Sequence, residues 1–338
     1  MTGRKERSSA MRQAVRTAQW GIVAAFVAGA ALSDRAAMAN EEQMIVLGTA
    51  PVSGIYFPAG GALCRMVNAE REAQGLRCVL ESTNGSAENL RRLEAGDLDF
   101  AIVQSDWQFH AYQGSGGPGT ERPFVDLRAV FSLQAQPLTV VASRESGIDA
   151  LADLRGKRVN LGPKGSAVRS AAEVLVQTLG WEDAAFGALT DFGAEDQVEA
   201  LCAGTIDAFV LPTSHPNGIV AAATEGCLAK IVPIEGPEVE ASLAQWPYYT
   251  PAIIPGGLYR GNPDAARSFG VRATLVTRAG LSPEVVYQVA KSVFDRLDEL
   301  RRQHPALADL TASQMVEWGN TAPLHDGAEI FFREQQLN

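Results

Sequence analysis

Three short segments combine small residues, hydroxyls and amides as a pocket for a small polar ligand requires. The first is Ser53-Gly54-Ile55-Tyr56. The second is Ser82-Thr83-Asn84-Gly85-Ser86. The third is Gly162-Pro163-Lys164-Gly165-Ser166, running on into Ala167-Val168. Each follows an apolar run and precedes a helical pattern, which predicts a helix N-terminus. Backbone N–H groups there lack intrahelical partners, and the helix dipole favours an anion. One such turn is commonly a cap and nothing more. Three in one chain predict a shared pocket at the C-terminal ends of parallel strands. The candidate contacts are therefore Ser53, Gly54, Ile55, Tyr56, Thr83, Asn84, Ser86, Gly165, Ser166, Ala167 and Val168. Gln104 and Ser105 end another apolar run at the same edge, and Asp106 is expected to cap the helix that follows. His215, in His215-Pro216-Asn217, follows a further strand and is expected to line the pocket from the opposite side. Lys164 and Arg169 are both open as charge partners for an anion.

Catalytic and metal chemistry find no comparable support. The chain has no G-x-S-x-G elbow and no H-E-x-x-H. Its histidines, at 110, 215, 304 and 325, show no metal-ligand spacing. Gly114-x-Gly116-x-x-Gly119 formally matches a dinucleotide fingerprint, but it follows Asp106–Tyr112, contains Pro118 and opens no helix. The reading is a non-enzyme without cofactor.

The elements that must position these residues are those of an α/β chain. Strands are predicted at 44–48, 76–80, 99–104, 138–142, 158–161, 206–211 and 272–277. Among the helices between them, the clearest starts at Ser282-Pro283 and carries apolar residues at steps of three and four as far as Leu300. An internal echo, Leu93-Glu94-Ala95-Gly96-Asp97-Leu98-Asp99 against Leu201-Cys202-Ala203-Gly204-Thr205-Ile206-Asp207, places a Gly-ended helix before a strand twice. It predicts two similarly built lobes: 40–135 with 250–338, and 136–249. The crossovers would fall near 133–138 and 248–253.

The N-terminus reads as an address. Arg4, Lys5, Arg7, Arg12 and Arg16 precede the apolar run 20–32, and Ala37-Met38-Ala39 is a small-residue cleavage site. The run is shorter than the roughly 20 residues a bilayer span needs, so residues 1–39 are expected to be removed on export to the periplasm. Those residues hold six basic and two acidic side chains, which leaves 23 Lys+Arg against 37 Asp+Glu, a net charge of −14. Such a body does not bind nucleic acid by phosphate neutralisation. Cys64, Cys78, Cys202 and Cys227 all fall in the exported part. An oxidising compartment favours disulfides. Of three connectivities, Cys64–Cys78 with Cys202–Cys227 keeps each bond inside one lobe; free buried thiols are the alternative.

Several of these pieces, in this order, carry a resemblance. Gly54-Ile55-Tyr56-Phe57-Pro58, Ser82–Leu90, Val103-Gln104-Ser105-Asp106, Leu154–Gly162, His215-Pro216-Asn217 and Pro247-Tyr248-Tyr249-Thr250-Pro251 resemble the TAXI family of substrate-binding proteins, which serve TRAP-type secondary transporters. The resemblance extends over essentially the whole mature chain. It implies a two-lobed, periplasmic-binding-protein-like α/β fold closing on a small carboxylate, glutamate-like or 2-oxoacid-like, in the cleft. The partners would be the TRAP membrane subunits, with the protein acting as a monomer. Asn84-Gly85 stands where members often carry Gly-Gly. Val168 stands where many carry Thr, which removes a donor and favours a less polar ligand tail. A sensory subunit feeding a membrane histidine kinase is the other reading, since it would use the same lobes.

Overall fold

The computed structural model describes residues 42–52, 54–116, 122–164 and 166–337. The expected export segment 1–39, Ser53 and Gly165 lie outside the described residues, as does the side chain of Ala167.

Strands and helices alternate along the first part of the chain. They run β1 (Gln43–Gly48), α1 (Tyr56–Ala69), β2 (Leu76–Glu81), α2 (Ser86–Ala95), β3 (Phe100–Gln104) and α3 (Ser105–Gln113). The long β4 (Leu127–Ala142) leads into β5 (Arg158–Asn160), α4 (Ala167–Thr178), β6 (Ala188–Thr190), α5 (Ala194–Cys202), β7 (Ala208–Pro212), α6 (Gly218–Cys227), β8 (Lys230–Val232) and α7 (Pro237–Gln245). After β9 (Thr250–Ile254) and a second long strand, β10 (Ala266–Arg278), come α8 (Pro283–Phe294), α9 (Leu297–Gln303), α10 (Ala312–Glu317) and α11 (Asp326–Glu334). The strand order is β2-β1-β3-β10-β4-β7-β5-β6, with β8 on β4 and β9 on β10. Parallel pairs (β1 with β3, β5 with β6 and β7) flank the antiparallel pair β4–β10.

Separate apolar cores lie along this path. Ile45, Leu63, Phe131, Val286 and Phe331 belong to one, and Leu90, Leu98, Val103 and Val276 pack in another. Further along, Leu138, Val140, Leu175 and Phe269 pack together, as do Val141, Phe209, Val220, Ile254 and Tyr259. Strands β4 and β10 contribute to cores on both sides, so both are buried along nearly their whole length. Both also start well before the predicted segments 138–142 and 272–277. Ser132, Gln134, Gln136 and Arg272 interrupt the apolar pattern at the point of crossing, and a pattern search stops there. Gly270 lies opposite Pro137. A Cβ on it would come within 2.2 Å of the Gln136 carbonyl oxygen, so this crossing requires glycine. The segment from β9 to the start of β10 pairs with itself, and Ile254, Tyr259 and Ala266 pack on Val141 and Phe209.

Local chemistry accounts for the ends of the elements. Gly96 and Gly204 take left-handed conformations (φ 87° and 68°), as the echo predicts. Pro283 opens α8, although the Ser282 side chain makes no capping bond. The expected helix through Leu300 is two: the chain turns after Phe294, where Arg296 reaches Glu70 and Glu299. Disulfides join Cys64 of α1 to Cys78 of β2 and Cys202 of α5 to Cys227 of α6, with Cα separations of 5.0 and 5.2 Å. No helix among the described residues is long and apolar enough to cross a membrane.

Candidate functional site

The first two turns are stitched into one edge. Ser82 Oγ donates to the Ala50 carbonyl (3.0 Å) and Thr49 Oγ1 to that of Glu81 (2.8 Å). Beneath them Asn89, fully buried, donates to the carbonyls of Thr49 (2.7 Å) and Ile102 (2.8 Å). Its Oδ1 accepts from Thr83 Oγ1 at 2.7 Å. Thr83 is therefore a lock on the turn, and its oxygen accepts the Gly85 N–H as well (3.1 Å). Asn84 is exposed and donates from Nδ2 to Glu88 (2.7 Å). Sequence reasoning missed Asn89 as the organiser of this edge. The signal was an amide on the buried face of a helix, where an apolar residue is the rule.

Tyr56, Ser86, Gln104, Asp106 and, from the crossing strand, Gln136 converge at the end of β3. Gln104 donates from Nε2 to Gln136 Oε1 (2.6 Å), and its backbone N–H donates to Ser86 Oγ (3.1 Å). The N-cap of α2 is Gly85, at φ 95°, so Ser86 is the first helical residue and not the cap; its hydroxyl is spent on Gln104. Tyr56 Oη lies beside Gln136 and Ser86, is buried, and meets no hydrogen-bond geometry. Burial, reinforced by Asp106, drives its pKa far up, so the phenol stays a donor. Asp106 does not cap α3, whose N-cap is Gln104; its Oδ1 accepts from the next N–H, of Trp107, at 2.7 Å. Burial raises the Asp106 carboxyl to about 6, and no Lys or Arg pairs with it among the described residues.

Aromatic rings face this carboxyl. Tyr248 and Tyr249 stack edge-on at 4.7 Å, and Phe109 and Trp246 flank Tyr248 at 5.2 and 5.8 Å. Burial raises the pKa of both tyrosines, with Asp106 adding to the effect. Ser105 is fully buried, donating to the Tyr248 carbonyl (2.7 Å) and accepting the Arg272 N–H (3.0 Å), so it ties α3 to the chain at Tyr248 and to β10. Gly54 and Ile55 form the turn into α1; Gly54 N–H donates to the Pro51 carbonyl at 2.8 Å, and Ile55 packs on the first core. At the third turn Ser166 is a true N-cap, accepting from the Arg169 N–H at 3.1 Å. Val168 packs with the Phe209 core and touches the space beside Gly162. Arg169 pairs with Glu173 through Nε (2.7 Å), while its Nη1 is buried without a partner. Lys164 is exposed.

His215 stands between β7 and α6. Tyr259 Oη and Thr139 Oγ1 occupy its ring nitrogens at 2.6 and 3.0 Å. Burial lowers its pKa to about 4, so the ring is neutral. Tyr259 Oη also accepts the Asn217 N–H (2.7 Å), which ties this tyrosine to both ends of the 215–217 turn. No cluster of His, Cys, Asp and Glu among the described residues could hold a metal ion.

Long antiparallel strands threading the cores, with polar turns gathered at the ends of parallel strands beside them, define the fold of the periplasmic solute-binding proteins. The model of the NMT1-like family matches residues 47–335, and the chain belongs to that family. Among solved structures it is similar to the periplasmic sulfonate-binding protein SsuA from Methylobacillus flagellatus KT (TM-score 0.53, 13% identity, covering 88% of this chain and 96% of that one). It is also similar to a TctC solute-binding protein from Polaromonas (TM-score 0.50, 16% identity, covering 77% and 86%). At these identities the likeness is one of fold.

Proposed function

We propose that this chain is an extracytoplasmic solute-binding protein that captures a small carboxylate and delivers it to a TRAP-type transporter of the TAXI kind. Export to the periplasm would follow removal of residues 1–39, and the protein would act as a monomer. The lobes would be 42–135 with 271–338, and 136–270. The pairing of β9 with β10 and the close approach at Gly270 support a second crossing at Gly270–Arg272, in place of 248–253.

The observation that carries the reading is the cluster of Tyr56, Gln104 and Gln136 around a buried, unpartnered phenol, facing Asp106 and the Tyr248–Tyr249 pair. Tyr56 Oη and Arg169 Nη1 are the donors assigned to the ligand carboxylate, with Ser53, Gly54, Gly165, Ser166, Ala167 and Val168 shaping its surroundings. Asp106, desolvated and without a cation, supports an amino-acid-like ligand over a 2-oxoacid, because an ammonium would complete it. Calorimetry with L-glutamate and 2-oxoglutarate tests this. Binding of an amino acid, lost at least tenfold in Tyr56→Phe and in Asp106→Asn, is expected. Preference for the 2-oxoacid, undisturbed by Asp106→Asn, would overturn the ammonium assignment. Binding of neither, across a panel of carboxylates, would overturn the function.

A further inference from the structure

We propose that the cavity between β4, β9 and residues 305–318 is a second ligand site, shaped for a small acid with an apolar body, whose carboxylate meets Arg272 and Gln134. The cavity has a volume of about 630 Å³ and is separate from the Tyr56–Asp106 cluster in its lining. Its walls are Pro251, Ile253, Leu258, Leu310 and Trp318, mostly apolar. A volume of that order suits a small molecule.

Two deeply buried polar side chains line it. Arg272 is 3% exposed and Gln134 2%. Arg272 is anchored on its own side by Nε donating to Ser132 Oγ (3.2 Å) and by Nη2 donating to the Leu133 carbonyl. Its guanidinium carbon lies 5.6 Å from the centre of the Trp318 ring. No carboxylate pairs with it among the described residues; Asp309, also on the wall, is exposed and makes no ion pair with it. Burial lowers the Arg272 pKa to about 10, and no carboxylate among the described residues balances the charge. Both Oε1 and Nε2 of Gln134 are buried without a partner, although a buried amide normally makes its bonds. His215, also on the wall, is neutral with both nitrogens taken, so it neither repels nor neutralises an acid. A carboxylate completes the cation and accepts from the amide Nε2, and an apolar body fills the rest.

The test uses the protein as recovered after export, titrated by calorimetry with benzoate and with benzyl alcohol as the neutral counterpart. Benzoate is expected to bind one to one, at least tenfold tighter than the alcohol, since charge-assisted bonds carry the difference. Gln134→Leu, which removes an unpartnered amide, should weaken benzoate about tenfold without lowering the melting temperature. Leu258→Trp, at a half-open wall position (37% exposed), should block it. Tyr56→Phe should leave it unchanged, which separates this site from the proposed cleft. Equal affinity for benzyl alcohol, indifference to both wall variants, loss in Tyr56→Phe, or no binding at millimolar benzoate would each overturn the proposal.

Discussion

Asp99 and Asp207 make the same bond at two places in the chain. Asp99 Oδ2 accepts the N–H of Val46 on β1, and Asp207 Oδ2 that of Arg158 on β5, each at 2.8 Å. Each backbone N–H in turn donates to the carbonyl of that same residue, Val46 (3.0 Å) or Arg158 (2.8 Å). The repeated L-x-A-G-x-(L/I)-D segment is thus one device used twice. A helix ends on a left-handed glycine, and an aspartate latches the next strand onto its parallel neighbour.

Removing either latch should cost stability locally. Asp99→Ala and Asp207→Ala are each expected to lose about 1.5–3 kcal/mol, the range for a bond to a charged group. Hydrogen exchange should quicken at Val46 in the first variant and at Arg158 in the second. The Asp207 carboxyl is held below its usual pKa by hydrogen bonds from Arg158. Its contribution is therefore full at neutral pH and is lost as pH falls through that lowered value. Equal exchange rates at both amides in both variants would refute the latch.

Thr83 and Tyr56 should separate by phenotype. Thr83→Ala breaks the buried contacts with Asn89 and the Gly85 N–H, so it is expected to lower the unfolding free energy by about 1–3 kcal/mol. Tyr56→Phe removes an oxygen that meets no hydrogen-bond geometry in the protein, although Gln136 and Ser86 lie beside it, so stability should change little while ligand affinity falls. Thermal melts paired with calorimetry distinguish the two. A Tyr56→Phe protein that melts lower and binds normally would mean that the phenol is structural.

Asp106 and His215 tilt acid stability in opposite directions. The Asp106 carboxyl is raised from 3.8 to about 6, so the native state holds its proton longer than the unfolded chain. Its penalty is full above pH 6 and fades toward pH 4. Asp106→Asn should therefore melt higher at pH 7.5, by a margin that shrinks on acidification. His215 falls from 6.5 to about 4. Its neutral form supports the fold fully above pH 6.5, and that support drains away between 6.5 and 4. At about 1.4 kcal/mol per pKa unit, each effect is at most roughly 3 kcal/mol. The melting temperature of Asp106→Asn should drop steeply through that window, with a flatter slope once His215→Gln is added.

Both disulfides close short loops, of 14 and 25 residues. Opening either should cost about 3 kcal/mol by chain entropy. Intact mass of the secreted protein should begin at Asn40 and show no alkylatable thiol until reductant is added. Retention of residues 1–39, or four reactive thiols without reductant, would contradict export and pairing.

The sequence by itself determined whatever is written in local chemistry. Alternating apolar runs marked β1, β2, β3, β5 and β7, glycines at 96 and 204 ended their helices, and Pro283 opened α8. Keeping each cysteine pair inside one predicted lobe pointed to the pairs that form. Only the tertiary structure decided which polar residues share a site. Gln136 comes to Gln104 and Tyr56 because β10 pairs with both β3 and β4 and brings them to its two sides, and nothing near position 136 advertises that pairing. Thr83 and His215 both read as ligand contacts because a turn hydroxyl and a loop imidazole are free in any local view. In the folded chain Asn89 and Tyr259, six and 44 residues away, take up their bonds. Which hydrogen-bonding groups already have a protein partner is decided by the folded arrangement, whether that partner is one helical stretch away or far along the chain.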